Sequence, residues 1–261
     1  NDEQKYLFDL KGYIVCKNVV PIEIIDSTRK LVNQLLEMDP KDHTPPVRRF
    51  KEGLETENPN GKRWGIGNIL EADSAFHYFV DIPEVIDIID NVSGGDTYRL
   101  NHTYSIKSKG SGVFTSFHFN GTPLVPPASY RYHNGQIIST LTKAIFPLLD
   151  CYEDDGCFAV IPSSHKSNFK RPFGDHHHPR MSPKVEPIPA NAGDCIIFSE
   201  ALSHGSVVNT SGRTRSTLYY CYSIGWMKDW GQNLRFSENI LESLSKERAD
   251  IVKLKNPGLN Y

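Results

Sequence analysis

The sequence lacks the features that would place it in a membrane, on nucleic acid or in a disulfide-stabilised fold. Its 5 cysteines are an odd number among 261 residues, and no two of them form a Cys-x-x-Cys pair. No run of about 18 apolar residues is present, so no transmembrane helix is expected. The net charge of −2 provides no basic field for nucleic acid or an anionic membrane. We therefore expect a small-molecule partner, no nucleic acid and no membrane.

Several catalytic motifs are also missing, and the cysteines indicate a reducing compartment. The sequence contains no phosphate-binding P-loop, no G-x-S-x-G nucleophile turn and no paired zinc-ligand motif. Scattered cysteines are typical of a reducing compartment, and no signal-peptide pattern is visible. We therefore predict a cytoplasmic protein.

Runs rich in β-branched and aromatic residues dominate the chain after residue 97. Gly, Pro, Asn and Asp separate them, which is typical of short strands in series. Upstream, 21–38 has helical spacing, and the polar, Pro- and Gly-rich segment 39–68 is predicted to be a long loop. The pattern predicts one domain over 1–261 that is mostly β, a sandwich or barrel. We expect a helical flank over 1–95, a β core over about 97–226 and a C-terminal helix over 236–253.

Two histidines lie at the ends of predicted strands that are far apart in sequence. His118 closes the run VFTSFHF, and His204 follows the run DCIIFSE. Facing sheets of a jelly roll bring such ends together, and two histidines with one carboxylate can bind iron on one face and leave its other positions open. The spacing alone fits two polar residues at the rim of a barrel equally well.

An arginine downstream of His204 is a candidate anion ligand. A turn at 209–212 precedes Arg215, which begins a strand and can direct its forked, permanently charged side chain inward at a carboxylate. Ser206 could donate a hydrogen bond to the same anion. A surface turn with Arg215 in a salt bridge fits the spacing as well.

Tyr104 and His102 share one face of a predicted strand and could contact substrate or pack in the core.

Four stretches resemble the phytanoyl-CoA dioxygenase family of iron(II)/2-oxoglutarate oxygenases. They are DEQKYLFDLKGYIVCKNVV (2–20), DDGCFAVIPSSHKSN (154–168), AGDCIIF (192–198) and HGSVVNTSGRTR (204–215). Ser163 stands where the family usually has glycine. The resemblance extends from near residue 2 to about 225. It implies a double-stranded β-helix, a cupin-like jelly roll, with flanking α-helices.

The resemblance also implies roles for individual residues. His118 and His204 match the two iron-ligand histidines, and Arg215, assisted by Ser206, matches the arginine that holds the distal carboxylate of 2-oxoglutarate. His165 matches a histidine that closes a loop. The implied activity uses iron(II), O₂ and 2-oxoglutarate, hydroxylates a small organic substrate, and releases succinate and CO₂.

Asn120 departs from the family pattern, which has aspartate two residues after the first histidine. An amide oxygen carries no negative charge, so iron(II) binding is expected to weaken. Asn120 or a water could still complete the site, or Glu200 in EALSHG could supply the carboxylate; Glu200 could instead cap its turn. Chloride could take the position, as in related halogenases, although asparagine fills the space that they leave. The chain could also be a non-catalytic small-molecule binder, or bind zinc.

Three further segments bear on the site. The histidines at 176–178 lie among turn-forming residues, and we predict a solvated loop there. The segments 39–68 and 122–135 are expected to shape the pocket. The sequence does not specify a substrate.

Overall fold

A computed structural model describes residues 1–50, 55–94, 98–119, 128–169, 171–174, 176–182, 184–228, 236–237 and 239–253. Its regular structure is divided between strands and helices. Within these residues the strands are β1 (Tyr13–Cys16), β2 (Arg48–Phe50), β3 (Glu55–Thr56), β4 (Lys62–Gly67), β5 (Tyr98–Lys109), β6 (Val113–Phe114), β7 (Tyr130–His133), β8 (Gln136–Ser139), β9 (Leu141–Pro147), β10 (Phe158–Val160), β11 (Glu186–Pro187), β12 (Cys195–Ser199), β13 (His204–Ser206) and β14 (Arg215–Ile224).

The helices are short and lie mostly before the long strands. The α-helices are α1 (Asp2–Lys11), α2 (Ile22–Glu37), α3 (Pro83–Val92), α4 (Ile240–Ser243) and α5 (Lys246–Val252). Short 3₁₀ helices cover Pro40–Asp42, Ile69–Glu71, Ser74–Val80, Ser164–Lys166 and Pro179–Met181. Gly12 ends α1 with a φ of 86°, a left-handed conformation that glycine adopts without strain. None of the helices in the described part of the chain is long and apolar enough to cross a bilayer.

A large antiparallel sheet organises the fold. Its strand order is β1-β12-β9-β14-β5-β4-β2, and a smaller sheet has the order β11-β10-β13. Two further pairs join β3 to β6 and β7 to β8. The mostly β class predicted from the sequence is therefore confirmed.

Alternation along β14 separates two apolar layers. Leu218, Tyr220 and Tyr222 pack into the larger core, which includes buried residues of α2 and α3. Tyr219 and Cys221 point the other way, into a second cluster between the two sheets. This alternation follows from the two-residue period of a strand, and it leaves an interior face that can carry a site.

The upstream segment contributes more strands than the sequence indicated. The predicted loop over 39–68 is wrong in part, because it contains β2, β3 and β4, and β4 pairs with β5 over its full length. The stretch KRWGIG has two glycines and two charges, so its intrinsic strand preference is weak and pairing with β5 stabilises it instead. The structure also divides the predicted C-terminal helix over 236–253 into α4 and α5. Ser245 caps α5 by accepting from the Arg248 amide at 3.4 Å.

The five cysteines all lie in the described part of the chain. Each is a free thiol: Cys16 is half-buried, and Cys151, Cys157, Cys195 and Cys221 are buried. Burial raises the pKa of the Cys16 thiol to about 11 and that of Cys157 to about 12. These thiols therefore behave as small apolar core side chains at neutral pH.

Candidate metal centre and its cavity

The two strand-end histidines lie side by side at the β13 edge of the small sheet. His118 and His204 exchange both backbone hydrogen bonds, with N···O distances of 3.0 and 3.1 Å. Their ring centroids are 4.2 Å apart. The strand ends that are far apart in sequence therefore lie side by side.

Both rings are held in the tautomer that suits a metal ligand. Nδ1 of His118 donates to the Ser116 carbonyl at 2.8 Å, and Nδ1 of His204 donates to the Leu202 carbonyl at 2.7 Å. Because each Nδ1 carries the proton, each Nε2 presents a lone pair. Burial lowers the pKa of His204 to about 3, and burial and the neighbouring His204 lower the pKa of His118 well below its usual range. Both imidazoles are therefore neutral at pH 7.

Glu200 brings a carboxylate to the same point. It lies in the turn between β12 and β13, where its backbone amide donates to the Leu141 carbonyl at 2.9 Å. Its Oε1 lies 3.9 Å from Nε2 of His204, and ligand atoms of His118, Glu200 and His204 all lie within 4.8 Å of one another. The structure thus brings together three residues singled out from the sequence. The fourth, Asn120, lies outside the described residues.

The three side chains fit a divalent metal ion. Glu200 is only 1% exposed, and its Oε2 is buried without a hydrogen-bond partner among the described residues. Such an orphaned carboxylate oxygen is costly unless something else satisfies it. A cation bound beside two imidazole nitrogens would do so, and two histidines with one carboxylate form a donor set that iron(II) accepts.

Lys143 lies directly against this carboxylate. Its Nζ is 2.8 Å from Oε1 of Glu200, and its side chain is 10% exposed. Burial opposes the charged ammonium, but the Glu200 carboxylate outweighs burial and raises the pKa of Lys143 well above its usual range. The ammonium therefore stays charged. Sequence analysis did not single out this residue, because a lysine within a strand does not indicate its partner.

A cavity of about 400 Å³ opens onto the histidines. Arg215 lines it, as predicted from its place at the start of β14. Its Nη1 donates to the Gly156 carbonyl at 3.0 Å and its Nη2 to the Tyr219 hydroxyl at 3.2 Å. These contacts fix the plane of the guanidinium on the cavity wall.

The other predicted contact residues divide between the cavity wall and its surroundings. Tyr104 lines the cavity and stacks on Tyr219, with centroids 4.5 Å apart and planes 5° apart. His102 stacks behind Tyr104 at 5.9 Å and is 2% exposed, so it supports the wall rather than forming it. The Ser206 hydroxyl accepts from the Thr115 amide at 2.8 Å and donates to the Val207 carbonyl at 3.1 Å. Its hydrogen bonds therefore hold the β13 strand.

Residues that the sequence did not single out also line the cavity. Arg63 on β4 stands opposite Ser108, which stands opposite Arg215, so the two arginines occupy one row of the sheet. Glu55 on β3 reaches the cavity and accepts a hydrogen bond from the Ser116 amide. Both belong to the segment predicted to be a loop. The alternation of small and large residues in KRWGIG was the signal for β4.

The prediction of a solvated loop at 176–178 is wrong in part, because the segment is in no helix or strand and His176 is exposed, but His177 is not solvated. His177 is buried and exchanges backbone hydrogen bonds of 2.9 and 3.3 Å with Phe117. Nε2 of His178 lies 3.0 Å from Oε1 of Glu57. These contacts hold His176 at the cavity, where its ring stacks on His118 at 5.9 Å. His165 lies elsewhere, hydrogen-bonded to the Asp9 carbonyl at 3.1 Å.

Gly205 permits the close approach of the two histidine strands. A Cβ at this position would lie 2.6 Å from the Thr115 carbonyl oxygen and 2.8 Å from Cδ2 of Phe117. The backbone oxygen cannot move without displacing the strand that carries His118. We therefore expect Gly205→Ala to lower the free energy of unfolding by about 1–3 kcal/mol and to weaken metal binding.

Gly135→Ala is a suitable control for this variant. Gly135 has a φ of 81° but no atom within 4 Å of an added Cβ, so alanine should cost stability through backbone strain alone. Denaturant unfolding and Mn²⁺ titration of both variants check the prediction. If the two variants bind Mn²⁺ equally well, Gly205 does not set the histidine geometry.

A family model described as phytanoyl-CoA dioxygenase matches residues 8–217. Human peroxisomal phytanoyl-CoA dioxygenase is 21% identical over 234 residues, which make up 83% of this chain and 66% of the human protein. The chain spans about 55% to 66% of the length of the curated relatives that it matches.

Solved structures share the fold. HygX from Streptomyces hygroscopicus, with nickel and 2-oxoglutarate bound, has a TM-score of 0.68 and 20% identity over 91% of this chain and 94% of its own. The non-heme α-ketoglutarate-dependent epimerase SnoN from nogalamycin biosynthesis has a TM-score of 0.63 and 16% identity over 86% of this chain and 83% of its own. These likenesses identify the jelly-roll fold of 2-oxoglutarate-dependent oxygenases.

Proposed function

Because this chain belongs to the phytanoyl-CoA dioxygenase family, we propose that it is an iron(II)- and 2-oxoglutarate-dependent oxygenase acting on a small organic substrate. The observation that carries the proposal is the convergence of His118, Glu200 and His204 within 4.8 Å at a cavity bearing Arg215. Members of the family use iron(II) and 2-oxoglutarate. HygX structures with iron, or with nickel and 2-oxoglutarate, add support.

His118, His204 and Glu200 would hold the iron. The two Nε2 atoms and the Glu200 carboxylate are the donors, and ligand atoms of the three residues lie within 4.8 Å of one another. Ligands on one face leave the remaining coordination positions open toward the cavity. When bound there, iron and 2-oxoglutarate supply the oxidising power, and the protein supplies ligation, orientation and shielding.

Arg215 would bind the far carboxylate of 2-oxoglutarate. A guanidinium can donate two parallel hydrogen bonds to a carboxylate, which fixes both its position and its orientation. The Tyr219 hydroxyl accepts a hydrogen bond from Arg215, so its own O–H could donate to the same anion. Together they anchor the end of the cosubstrate that does not react.

Aromatic side chains would keep water from the centre. The ring of Phe198 lies 4.7 Å from that of His204, and Phe158 lies 5.9 Å from it on another side. Phe119 stacks on His204 at 5.6 Å. An apolar shell of this kind limits solvent access to a metal and strengthens the electrostatic contacts inside.

The reaction proposed is hydroxylation. One oxygen atom of O₂ would enter a C–H bond of the substrate and the other would enter succinate, with CO₂ as the third product. A carboxylate ligand from Glu200 would argue against the halogenase alternative, since chloride would need that place vacant. A non-catalytic binder on the same fold is the second candidate, favoured by Asn120.

Coupled assays separate the enzyme from the binder. The full chain is given iron(II), 2-oxoglutarate, O₂ and ascorbate, which supplies the two electrons that a substrate C–H bond would otherwise supply, and succinate and oxygen consumption are measured together. We expect succinate to form in proportion to the oxygen consumed, and His118→Ala to lose this turnover. Succinate no higher than in His118→Ala would instead identify a binding protein.

A further inference from the structure

We propose that Lys143 is a positioning residue that holds the Glu200 carboxylate in place beside the two histidines. The inference rests on the proposed function, because it assumes that Glu200 is a metal ligand. Lys143 would not itself touch the metal. It would act by holding Oε1 of Glu200, which lies 3.9 Å from Nε2 of His204, so that the carboxylate is already in place when a metal binds.

The position of Lys143 in the sheet makes it an interior residue. It lies on β9, between β12 and β14, opposite Phe198 on one side and Cys221 on the other. Both of these neighbours belong to the apolar cluster between the two sheets. Its stem therefore crosses packed surface and its ammonium ends at the cavity, which it lines.

The two oxygens of Glu200 have different surroundings. Oε1 accepts from Nζ of Lys143 at 2.8 Å, whereas Oε2 is buried and has no hydrogen-bond partner among the described residues. The backbone of Glu200 is also tied to β9, through its amide and the Leu141 carbonyl at 2.9 Å. The same strand thus holds both the backbone and the side chain of Glu200, and Oε2 keeps a lone pair that a bound cation could satisfy.

Tyr104 fixes the ammonium from the other side. Nζ of Lys143 lies 5.8 Å from the centroid of the Tyr104 ring, within the range of a cation–π contact. Tyr104 is itself clamped between Tyr219 and His102, both of which stack on it. Lys143 is therefore held in place before any metal arrives.

A glutamate in this turn needs such a partner for two reasons. Its side chain has one more rotatable bond than aspartate, so more conformational freedom must be lost when it binds a metal, and a prior contact at Oε1 removes part of that cost. A buried carboxylate also needs a compensating charge when no metal is bound, and Lys143 supplies it.

Mn²⁺ binding by the full chain tests this role, with EPR of free Mn²⁺ as the measure and the visible absorption of bound Co²⁺ as a report of the ligand set. We expect Lys143→Met to weaken Mn²⁺ binding about 10- to 100-fold and to alter the Co²⁺ spectrum, the usual consequence of removing a partner of a metal ligand. Lys143→Arg should restore much of the affinity. The double variant Lys143→Met/Glu200→Gln should bind no more weakly than Glu200→Gln alone.

Lys107→Met is the matched control. Lys107 lies on β5 of the same sheet and is part-buried, but its Nζ donates to Asn33 on α2 at 2.6 Å, away from the cavity. Circular dichroism and thermal unfolding of the metal-free variants identify any that fail to fold. If Lys143→Met does not fold, Lys143→Arg, which keeps the charge, provides the second test.

The Mn²⁺ affinities of these variants separate the positioning role of Lys143 from the ligand role of Glu200. Mn²⁺ binding that is unchanged or tighter in Lys143→Met, while Glu200→Gln binds weakly, would overturn the role of Lys143 and leave Glu200 as a ligand. Additive losses in the double variant would also overturn it, because Lys143 would then act independently of Glu200. Unchanged binding in Glu200→Gln would remove Glu200 as a ligand, and the role of Lys143 with it.

Discussion

Glu200→Gln is expected to weaken divalent metal binding by at least about 100-fold, more than the loss of a residue that only supports a ligand. The substitution keeps the shape of the side chain but removes the only carboxylate that the described residues place within 4.8 Å of the ligand atoms of both His118 and His204. A neutral amide is a poor ligand for a hard dication, and it also leaves the Lys143 ammonium buried without its counter-ion. Mn²⁺ titration followed by EPR measures the loss.

Glu186→Gln controls for removing an acidic side chain. Glu186 on β11 is half-buried and accepts a hydrogen bond from the Tyr13 hydroxyl, away from the histidines. Its replacement should leave Mn²⁺ affinity unchanged. If Glu200→Gln binds Mn²⁺ as tightly as the unaltered chain, the third ligand is Asn120 or water, and Glu200 only closes its turn.

Arg215→Ala is expected to weaken 2-oxoglutarate binding about 10- to 100-fold without changing metal affinity. The loss corresponds to a charge-assisted, two-point hydrogen bond to a carboxylate. The 2-oxoglutarate affinity of Arg215→Lys should fall between those of the unaltered chain and Arg215→Ala, because an ammonium keeps the charge but cannot donate two parallel hydrogen bonds. Calorimetric titration of 2-oxoglutarate into the Ni²⁺-loaded protein measures the affinity without turnover.

Arg213→Ala is the natural control, because it removes the same group two residues away. Arg213 is 56% exposed and pairs with Asp154, which is exposed, and with Asp155, which is buried. Its loss should leave 2-oxoglutarate affinity unchanged. Equal affinities in Arg215→Ala and Arg213→Ala would show that the cosubstrate carboxylate is held elsewhere, with Arg63 on the same row of the sheet as the next residue to examine.

The sequence predicted the fold class and the meeting of two strand ends for identifiable reasons. Short β-branched runs separated by turn residues indicate a β sandwich or barrel, and the jelly roll brings the strand ends at His118 and His204 together. The approach of Arg215 to the cavity follows from its place at the start of β14. These features depend on strand period and strand order, both of which leave traces in the sequence.

Other features depend on tertiary contacts that a sequence does not display. Glu200 was one of several alternatives, since only the turn between β12 and β13 determines whether its side chain points inward. Lys143 was missed because a lysine within an apolar strand gives no indication of its partner. The strand β4 was missed because pairing with β5, rather than local preference, stabilises it. His176 reaches the cavity only because His177 pairs with Phe117.

Joint binding of iron(II) and 2-oxoglutarate tests whether Glu200 completes the metal site of this chain. The metal-free chain is titrated anaerobically with both, and the visible charge-transfer absorption that they give when bound together is recorded for the unaltered chain, Glu200→Gln and Asn120→Asp. We expect absorption in the unaltered chain and its loss in Glu200→Gln. Absorption that persists in Glu200→Gln would exclude Glu200 as the third ligand, and absorption that appears only in Asn120→Asp would show that the unaltered chain lacks a competent site.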